Sequence, residues 1–169
     1  MSEYVLSRWA RAHPRFGEII RLAEREGQAH ALDAAVPRAL GEHVLVATVR
    51  GPREAAGLVG FLRLVLRPIG LGEVPVLSPE DSPLTEACIA AQAVVDIHQG
   101  ADVGDLLHRE AAAQAHLRGC HQLVGQSLDA PVGEHRRRIA RGFAVWPDRR
   151  PEGAALAYAL PLRLGGGTA

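Results

Sequence analysis

The residues best suited to chemistry lie in one stretch in the second half of the chain. Residues 87–97 are small or β-branched and predict a strand, and residues 98–104 predict a tight, glycine-bearing turn. Residues 103–118 predict an amphipathic helix that Gly119 ends. A strand that enters a helix through such a turn directs unpaired backbone N–H groups, and the positive end of the helix dipole, at one point. Proteins hold phosphate in this way, so the stretch predicts a phosphate-bearing ligand.

Two local motifs in this region resemble a known family. Gln99, Gly100 and Gly104 follow the predicted strand as in the acetyl-CoA loop of the GNAT superfamily of N-acetyltransferases, whose motif is Gln/Arg-x-x-Gly-x-Gly/Ala. Gly142 and Phe143 resemble the Gly-Phe pair that follows the last helix of that family. The order of predicted elements over residues 14–162 is also compatible with it.

The resemblance implies a fold and a cosubstrate. The fold is α/β (α+β): a mixed, mostly antiparallel sheet with a splayed centre and helices on both faces. The splay would lie between residues 87–97 and 120–127, within a single domain over residues 1–169 that ends in a flexible tail, 165–169. The implied substrate is acetyl-CoA or another acyl-CoA. The residues implied to bind it are Gln92, Ala93, Val94, Gln99, Gly100, Ala101, Asp102, Val103 and Gly104.

Asp102 departs from the family pattern, because it stands where the motif has its central glycine. A carboxylate about 6 Å from a diphosphate, at an effective dielectric of about 20, costs about 3 kcal/mol, or roughly a hundredfold in affinity. Asp102 with Asp105 also predicts a helix that caps its own N–H groups. The charge would be offset if Asp102 turned outward or if an arginine lay close. Arg136, Arg137 and Arg138 are the candidates for that arginine.

The resemblance also implies catalytic positions. Transfer to an amine needs a proton acceptor, and the family often places a carboxylate on its central strand, which Glu86 begins here. A tyrosine five residues before the phenylalanine of Gly-Phe often serves as the acid, but Arg138 occupies that position. An arginine keeps its proton at neutral pH, yet it can stabilise a thiolate. The alternative for Glu86 is an exposed strand-end charge. Arg136, Arg137 and Arg138, together with Arg141, form either a solvated helix face or a site for an anionic substrate or the CoA phosphates.

Composition limits the remaining possibilities. A chain of 169 residues with 47% apolar residues predicts one folded domain, and its zero net charge gives no electrostatic reason to bind nucleic acid or membranes. The absence of a long apolar segment predicts a cytoplasmic protein. Cys88 and Cys120 are predicted to be reduced core thiols. The sequence lacks His-Glu-x-x-His, Cys-x-x-Cys and Gly-x-Ser-x-Gly motifs, so neither a metal site nor a hydrolase elbow is predicted.

The other segments predict simple elements. Residues 4–6 predict either a strand or the approach to a helix, and the helix itself follows Pro14 and ends at Gly27. The remaining predictions are a hairpin of residues 41–50 and 57–67 with a turn at 51–54, a loop at 68–83, a strand at 120–127, a turn at 128–131, a helix at 133–141, a strand at 143–146, a loop at 147–153 and a strand at 154–162.

Three functions remain open. The first is a GNAT-like N-acyltransferase that moves an acyl group, such as acetyl, from acyl-CoA to the amine of a small molecule. The second is a GNAT-fold protein that no longer uses acetyl-CoA and acts as a small-molecule binding or partner protein, or as an enzyme of unrelated chemistry. The third is a structural role in an oligomer, for which a homodimer is the simplest form.

Overall fold

A computed structural model of the chain describes residues 4–50, 57–71, 74–98, 102–127, 132–150 and 153–162. The predicted turns at 51–54 and 128–131 and the predicted tail at 165–169 lie outside these ranges. So do Gln99, Gly100 and Ala101, three of the residues predicted to bind acyl-CoA.

The chain alternates between strands and helices. Its elements are β1 (Tyr4–Trp9), α1 (Phe16–Arg25), α2 (Ala29–Asp33), β2 (Gly41–Val49), β3 (Leu58–Pro68), β4 (Gly70–Leu71), β5 (Val74–Pro75), β6 (Thr85–Val94), α3 (Val103–Leu117), β7 (Gln122–Ser127), α4 (Val132–Ala140), β8 (Ala144–Arg150) and β9 (Gly153–Pro161). A 3-10 turn, Asp96–His98, follows β6.

Seven strands form one sheet in the order β1-β2-β3-β6-β7-β9-β8. The pair β6–β7 is parallel, and the other described pairs of this sheet are antiparallel. The predicted hairpin of β2 and β3 is confirmed, with Gly41 opposite Leu66. This is the mixed, mostly antiparallel sheet that the resemblance implied.

Each face of the sheet has its own core. Val44 and Val46 of β2 pack in the core with α1 and α2, whereas the intervening Leu45 and Ala47 pack in the core with α3. This alternation follows from the two-residue period of a strand. Helices α1 and α3 form because their apolar residues recur at helical spacing. On α1 the buried residues are Phe16, Ile19, Leu22 and Ala23, and on α3 they include Val103, Leu107, Ala111 and Ala115.

Two loop predictions were wrong in part. The segment at 68–83 contains the short hairpin of β4 and β5 and a bridge between Leu77 and Pro83. The predicted loop at 147–153 is largely strand, because β8 runs through Pro147 to Arg150. Since β8 lies at the edge of the sheet, the missing N–H of Pro147 need not cost a ladder hydrogen bond.

Two smaller questions are also answered. Residues 4–6, which the sequence left undecided, belong to strand β1. The short helix α2 was not predicted at all. None of the described helices is long and apolar enough to span a membrane.

Candidate functional site

A gap opens in the middle of the sheet between β6 and β7. The two strands pair in parallel at their first residues, and the last pair is Cys88 with Val124. On its other side, β6 carries one extra residue, Ala90, between the residues that pair with β3. A bulge of this kind bends its strand. From Ile89 onward β6 therefore leaves β7, and the splayed centre that the resemblance implied is present.

Gln92, Ala93 and Val94 lie on β6 beyond the bulge. One edge of this segment pairs with Leu62, Phe61 and Gly60 of β3, in that order. The described β6–β7 pairs end before it, so its other edge faces the gap. These three residues, which the resemblance implied to bind acyl-CoA, therefore lie on the side of β6 that borders the gap.

The acids at the start of α3 leave its first N–H groups uncapped. Asp102 is the N-cap residue, and its side chain makes no capping hydrogen bond. The first helical bond runs from the N–H of Leu106 to the carbonyl of Asp102, at 2.8 Å. The predicted self-capped helix is therefore wrong. Within the described ranges, neither acid accepts a hydrogen bond from the N–H groups of Val103, Gly104 or Asp105.

An arginine does balance these acids, but it is not one of the three that were predicted to offset the charge of Asp102. The guanidinium of Arg141, just after α4, forms an ion pair with the carboxylate of Asp105. Burial lowers the pKa of Arg141, and the charge of Asp102 opposes that shift. Arg136 and Arg137 are exposed instead. The interaction with Arg141 explains why Asp105 does not cap the helix, since a charge-assisted bond is stronger than a bond to a neutral N–H.

A cavity of about 440 Å³ lies beside this ion pair, between α3 and the α4–β8 link. Its lining consists of Asp102, Asp105, His108, Arg109, Ala112, Arg141, Phe143 and Leu160. His108 is buried, donates from Nδ1 to the carbonyl of Gly104 at 2.8 Å and lies edge-on to Phe143. The volume is in the range of small-molecule pockets.

Glu86 lies at the closed end of the gap, where β6 and β7 are still paired. Nε of Arg67 donates to one carboxylate oxygen and Nε2 of Gln122 to the other, each at 2.7 Å. Glu86 is only 7% exposed, so the predicted alternative of an exposed strand-end charge is wrong. Each oxygen can still accept a second hydrogen bond. Its role as a base remains a prediction.

Arg138 is buried, at 5% exposure, and does not belong to a solvated helix face. Its Cζ lies 4.1 Å from the centroid of the Tyr158 ring on β9. His135, on the same side of α4, forms a hydrogen bond through Nδ1 with the hydroxyl of Tyr158. The sequence analysis did not predict this contact. The only sign of it in the sequence is that tyrosine is rare, since the chain has two.

The remaining reactive side chains are the cysteines and the possible metal ligands. Cys88 and Cys120 are both free, as predicted. Cys120 is buried, although Cys88 is only partly so, and burial raises the pKa of the Cys120 thiol. Among the described residues, no group of three or more His, Cys, Asp or Glu side chains could hold a metal ion.

No protein-family model and no curated protein matches the sequence. Solved structures do match. NAA60 of Arabidopsis thaliana in complex with acetyl-CoA aligns over 94% of this chain and 98% of that one, with a TM-score of 0.70 and 9% identity. A GNAT-family acetyltransferase of Staphylococcus aureus covers 95% and 99%, with a TM-score of 0.62 and 10% identity. A chain of the NatC complex bound to Gag peptide and CoA covers 95% and 99%, with a TM-score of 0.63 and 16% identity.

At such low identities the similarity is one of architecture. The matches extend over nearly the whole of both chains, and the splayed sheet and the order of elements are the features that the sequence motifs implied. The architecture of this chain is that of the GNAT superfamily of N-acetyltransferases.

Proposed function

We propose that this chain is an N-acyltransferase that moves an acyl group, in the simplest case acetyl, from acyl-CoA to the amine of a small molecule. One observation carries the proposal. The N–H groups of Val103, Gly104 and Asp105 are left uncapped by the two acids, and they follow the strand at which the sheet opens. A helix start that its own acids do not cap, beside a gap in a sheet, suits a long ligand with a phosphate group.

The diphosphate would lie on the first turn of α3. Gly104 leaves room there, because a Cβ added to it would meet no atom within 4 Å. Arg141 offers a cation beside the two acids. Gln99, Gly100 and Ala101 are proposed to bind the same diphosphate. The 440 Å³ cavity beside α3 would hold part of the nucleotide tail.

The pantetheine arm would run along the edge of β6 that faces the gap. Gln92, Ala93 and Val94 lie on this edge, and an extended ligand can lie along the edge of a sheet as another strand would. The thioester would then lie near Ile89, where β6 and β7 begin to separate.

We retain Glu86 as the proposed proton acceptor. Arg67 and Gln122 fix the orientation of its carboxylate, which can take a proton from the amine directly or through a water molecule. Glu86→Gln should lower kcat by about a hundredfold and leave the affinity for acetyl-CoA unchanged. A kcat equal to that of the unchanged chain would remove Glu86 from the mechanism.

The acceptor needs a direct survey. A small-molecule amine is our proposal, but the NatC structure contains a Gag peptide, so peptides are a necessary comparison. The release of free CoA thiol would be measured with acetyl-CoA as the acyl donor. The acceptors would be a panel of small amines and a panel of peptides with a free N-terminus. Turnover only with peptides would reject the small-molecule acceptor and keep acyl transfer.

Binding can be tested with a matched pair of variants. Gly104 is the second residue of α3, and Gly17 is the second residue of α1. Gly104→Val should weaken CoA binding at least about tenfold, because a branched side chain would cover the first-turn N–H groups. Gly17→Val should bind CoA as the unchanged chain does. If the unchanged chain does not bind CoA, the fold has lost its cosubstrate and the proposal fails.

A further inference from the structure

The side chain of Arg67 uses only part of its hydrogen-bonding capacity. On β3 it lies directly opposite Glu86 of β6, and its Nε donates to one oxygen of that carboxylate at 2.7 Å. Within the described ranges, its terminal nitrogens, Nη1 and Nη2, donate to no protein group, and neither is buried. A guanidinium has five N–H donors, so four of them remain for another acceptor. The side chain is 35% exposed, and a ligand can therefore reach these donors.

Another arginine of the same strand shows the contrast. Arg63 projects from the same face of β3, because it lies an even number of residues before Arg67. Its Nε and Nη2 donate to Glu42, and its Nη1 donates to the carbonyls of Ala31 and Ala34. All three nitrogens of this buried guanidinium are therefore used within the protein, whereas two nitrogens of Arg67 are left for a ligand.

Arg67 and Glu86 form an ion pair in which both members have open positions. Glu86 accepts from Arg67 and from Gln122, and each carboxylate oxygen can accept one more hydrogen bond. An ammonium group can therefore bind to Glu86 while a carboxylate binds to Nη1 and Nη2 of Arg67, in the paired geometry that arginine and carboxylates favour. Side chains directly opposite in an antiparallel pair start about 5 Å apart. This spacing suits an ammonium and a carboxylate that are bonded to the same carbon atom.

From this arrangement we infer that the acceptor is a free amino acid, whose carboxylate is bound by Arg67 while its amine faces Glu86. The inference rests on the proposed acyl transfer and deepens it, because it names the class of small-molecule amine. A peptide has an amide in place of this carboxylate, so it would leave the donors of Arg67 unused. Arg67 is thus a specificity-determining residue.

The amine of such an acceptor lies within reach of the thioester. Cys88, two residues beyond Glu86, is the last residue of β6 that pairs with β7. A thioester near Ile89 would lie roughly 10 Å along β6 from Glu86. The side chain of Glu86 and the amine itself, with one water molecule if needed, cover this span.

The transfer conserves atoms and charge. The ammonium gives one proton to Glu86, and its nitrogen bonds to the thioester carbonyl carbon. The carbon–sulfur bond breaks, and its electron pair passes to sulfur. The nitrogen then loses a second proton. One of the two released protons converts the thiolate to free CoA thiol, and the other enters the solvent. The products are CoA and an N-acyl amino acid, whose carboxylate is unchanged.

Matched acceptors isolate the contribution of the carboxylate. Each free amino acid would be compared with its own primary amide, which keeps the side chain and the amine but lacks the negative charge. The release of CoA thiol from acetyl-CoA gives kcat/KM for both members of a pair. For the amino acid that reacts best, kcat/KM should exceed that of its amide by at least about tenfold.

Variants at Arg67 test whether this side chain causes the preference. Arg67→Met removes the charge and the donors, so the ratio of kcat/KM between amino acid and amide should fall at least about tenfold, whatever happens to kcat itself. Arg67→Lys should lower the ratio about threefold, because an ammonium cannot form the paired bonds of a guanidinium. It provides a second test should Arg67→Met not fold. Arg25→Met, at an exposed position on α1, should keep the full ratio.

The outcomes separate the two proposals. If acyl transfer occurs but amides, simple amines or peptides react as well as free amino acids, Arg67 does not select a carboxylate and the acyl transfer proposal stands. A preference that is unchanged in both variants at Arg67 has the same meaning. If no acceptor of any class releases CoA thiol, the proposed function fails and this inference fails with it.

Discussion

Replacing Asp102 by asparagine should tighten CoA binding. The change removes one negative charge from the start of α3 and nearly preserves the shape of the side chain. Asp102 makes no capping hydrogen bond, so the helix loses no described contact. The effect should therefore be electrostatic and should appear in the dissociation constant for CoA, whereas the unliganded chain should lose at most about 1 kcal/mol of stability, because Asp102 interacts with the helix dipole and with Arg141.

The geometry sets the size of the effect. A carboxylate about 6 Å from a phosphate would cost about 3 kcal/mol at a dielectric of about 20. Asp102 is exposed, and Arg141 lies close enough for its charge to interact with Asp102, so this figure must be reduced. With a dielectric of about 40 the cost is about 1.4 kcal/mol, or about tenfold in affinity. The gain should shrink as salt is added, since salt screens exposed charges.

Calorimetry with CoA and with pantetheine provides the assay. Pantetheine lacks the diphosphate, so Asp102→Asn should leave its affinity unchanged. Glu80→Gln removes an exposed carboxylate from the segment before β6 and serves as the charge-matched control. The reasoning is refuted if Asp102→Asn changes the CoA constant by less than about twofold at low salt, or if pantetheine binding tightens equally.

Three further changes test other contacts. Arg141→Gln should weaken CoA binding about tenfold in calorimetry, because the acids at the start of α3 lose their cation. Arg63→Met should lower the free energy of unfolding, measured in urea, by about 3 kcal/mol. The buried guanidinium of Arg63 donates to Glu42 and to two carbonyls of the α2 region. The control Arg25→Met, at an exposed position, should lower it by less than about 0.5 kcal/mol. Burial and nearby arginines lower the pKa of His43. The unfolded chain therefore binds a proton at this position at a higher pH than the folded chain does, and stability falls as the pH drops below about 6.5. His43→Gln should make the stability depend less on pH in this range.

Each of these has a clear opposite result. CoA affinity unchanged in Arg141→Gln would show that the phosphate does not need this cation. Equal unfolding free energies for the variants at Arg63 and Arg25 would contradict a structural role for the buried guanidinium. Identical pH dependence with and without His43 would show that its protonation is not linked to folding.

Contiguous patterns made the main elements predictable. The pattern of apolar residues that defines each element lies within one short segment of the chain. This holds for helices α1 and α3 and for the β2–β3 hairpin. Gly27 and Gly119, where the two helices end, both have a positive φ. Such features depend on neighbours in sequence, so the sequence shows them. The splayed centre came from the resemblance, and the structure adds its cause, the extra residue Ala90 in β6.

The misses all depend on contacts between distant segments. The Asp102 and Asp105 pattern predicted a capped helix, yet Asp105 pairs with Arg141, which only the folded chain brings close. Arg138 could be placed on α4 from sequence, but its contact with Tyr158 requires β9 to lie beneath that helix. Pro147 was predicted to lie in a loop, because proline lacks the N–H that a central strand needs. An edge strand can contain a proline, and only the fold shows that β8 is an edge strand.

The most direct test of the whole account is titration of acetyl-CoA into the full chain by calorimetry. The account predicts saturable binding, and a ligand at a hundred times its dissociation constant should add about 2.7 kcal/mol to the free energy of unfolding. No heat of binding and no gain in stability at about millimolar acetyl-CoA would contradict the claim that the first turn of α3 still receives a diphosphate.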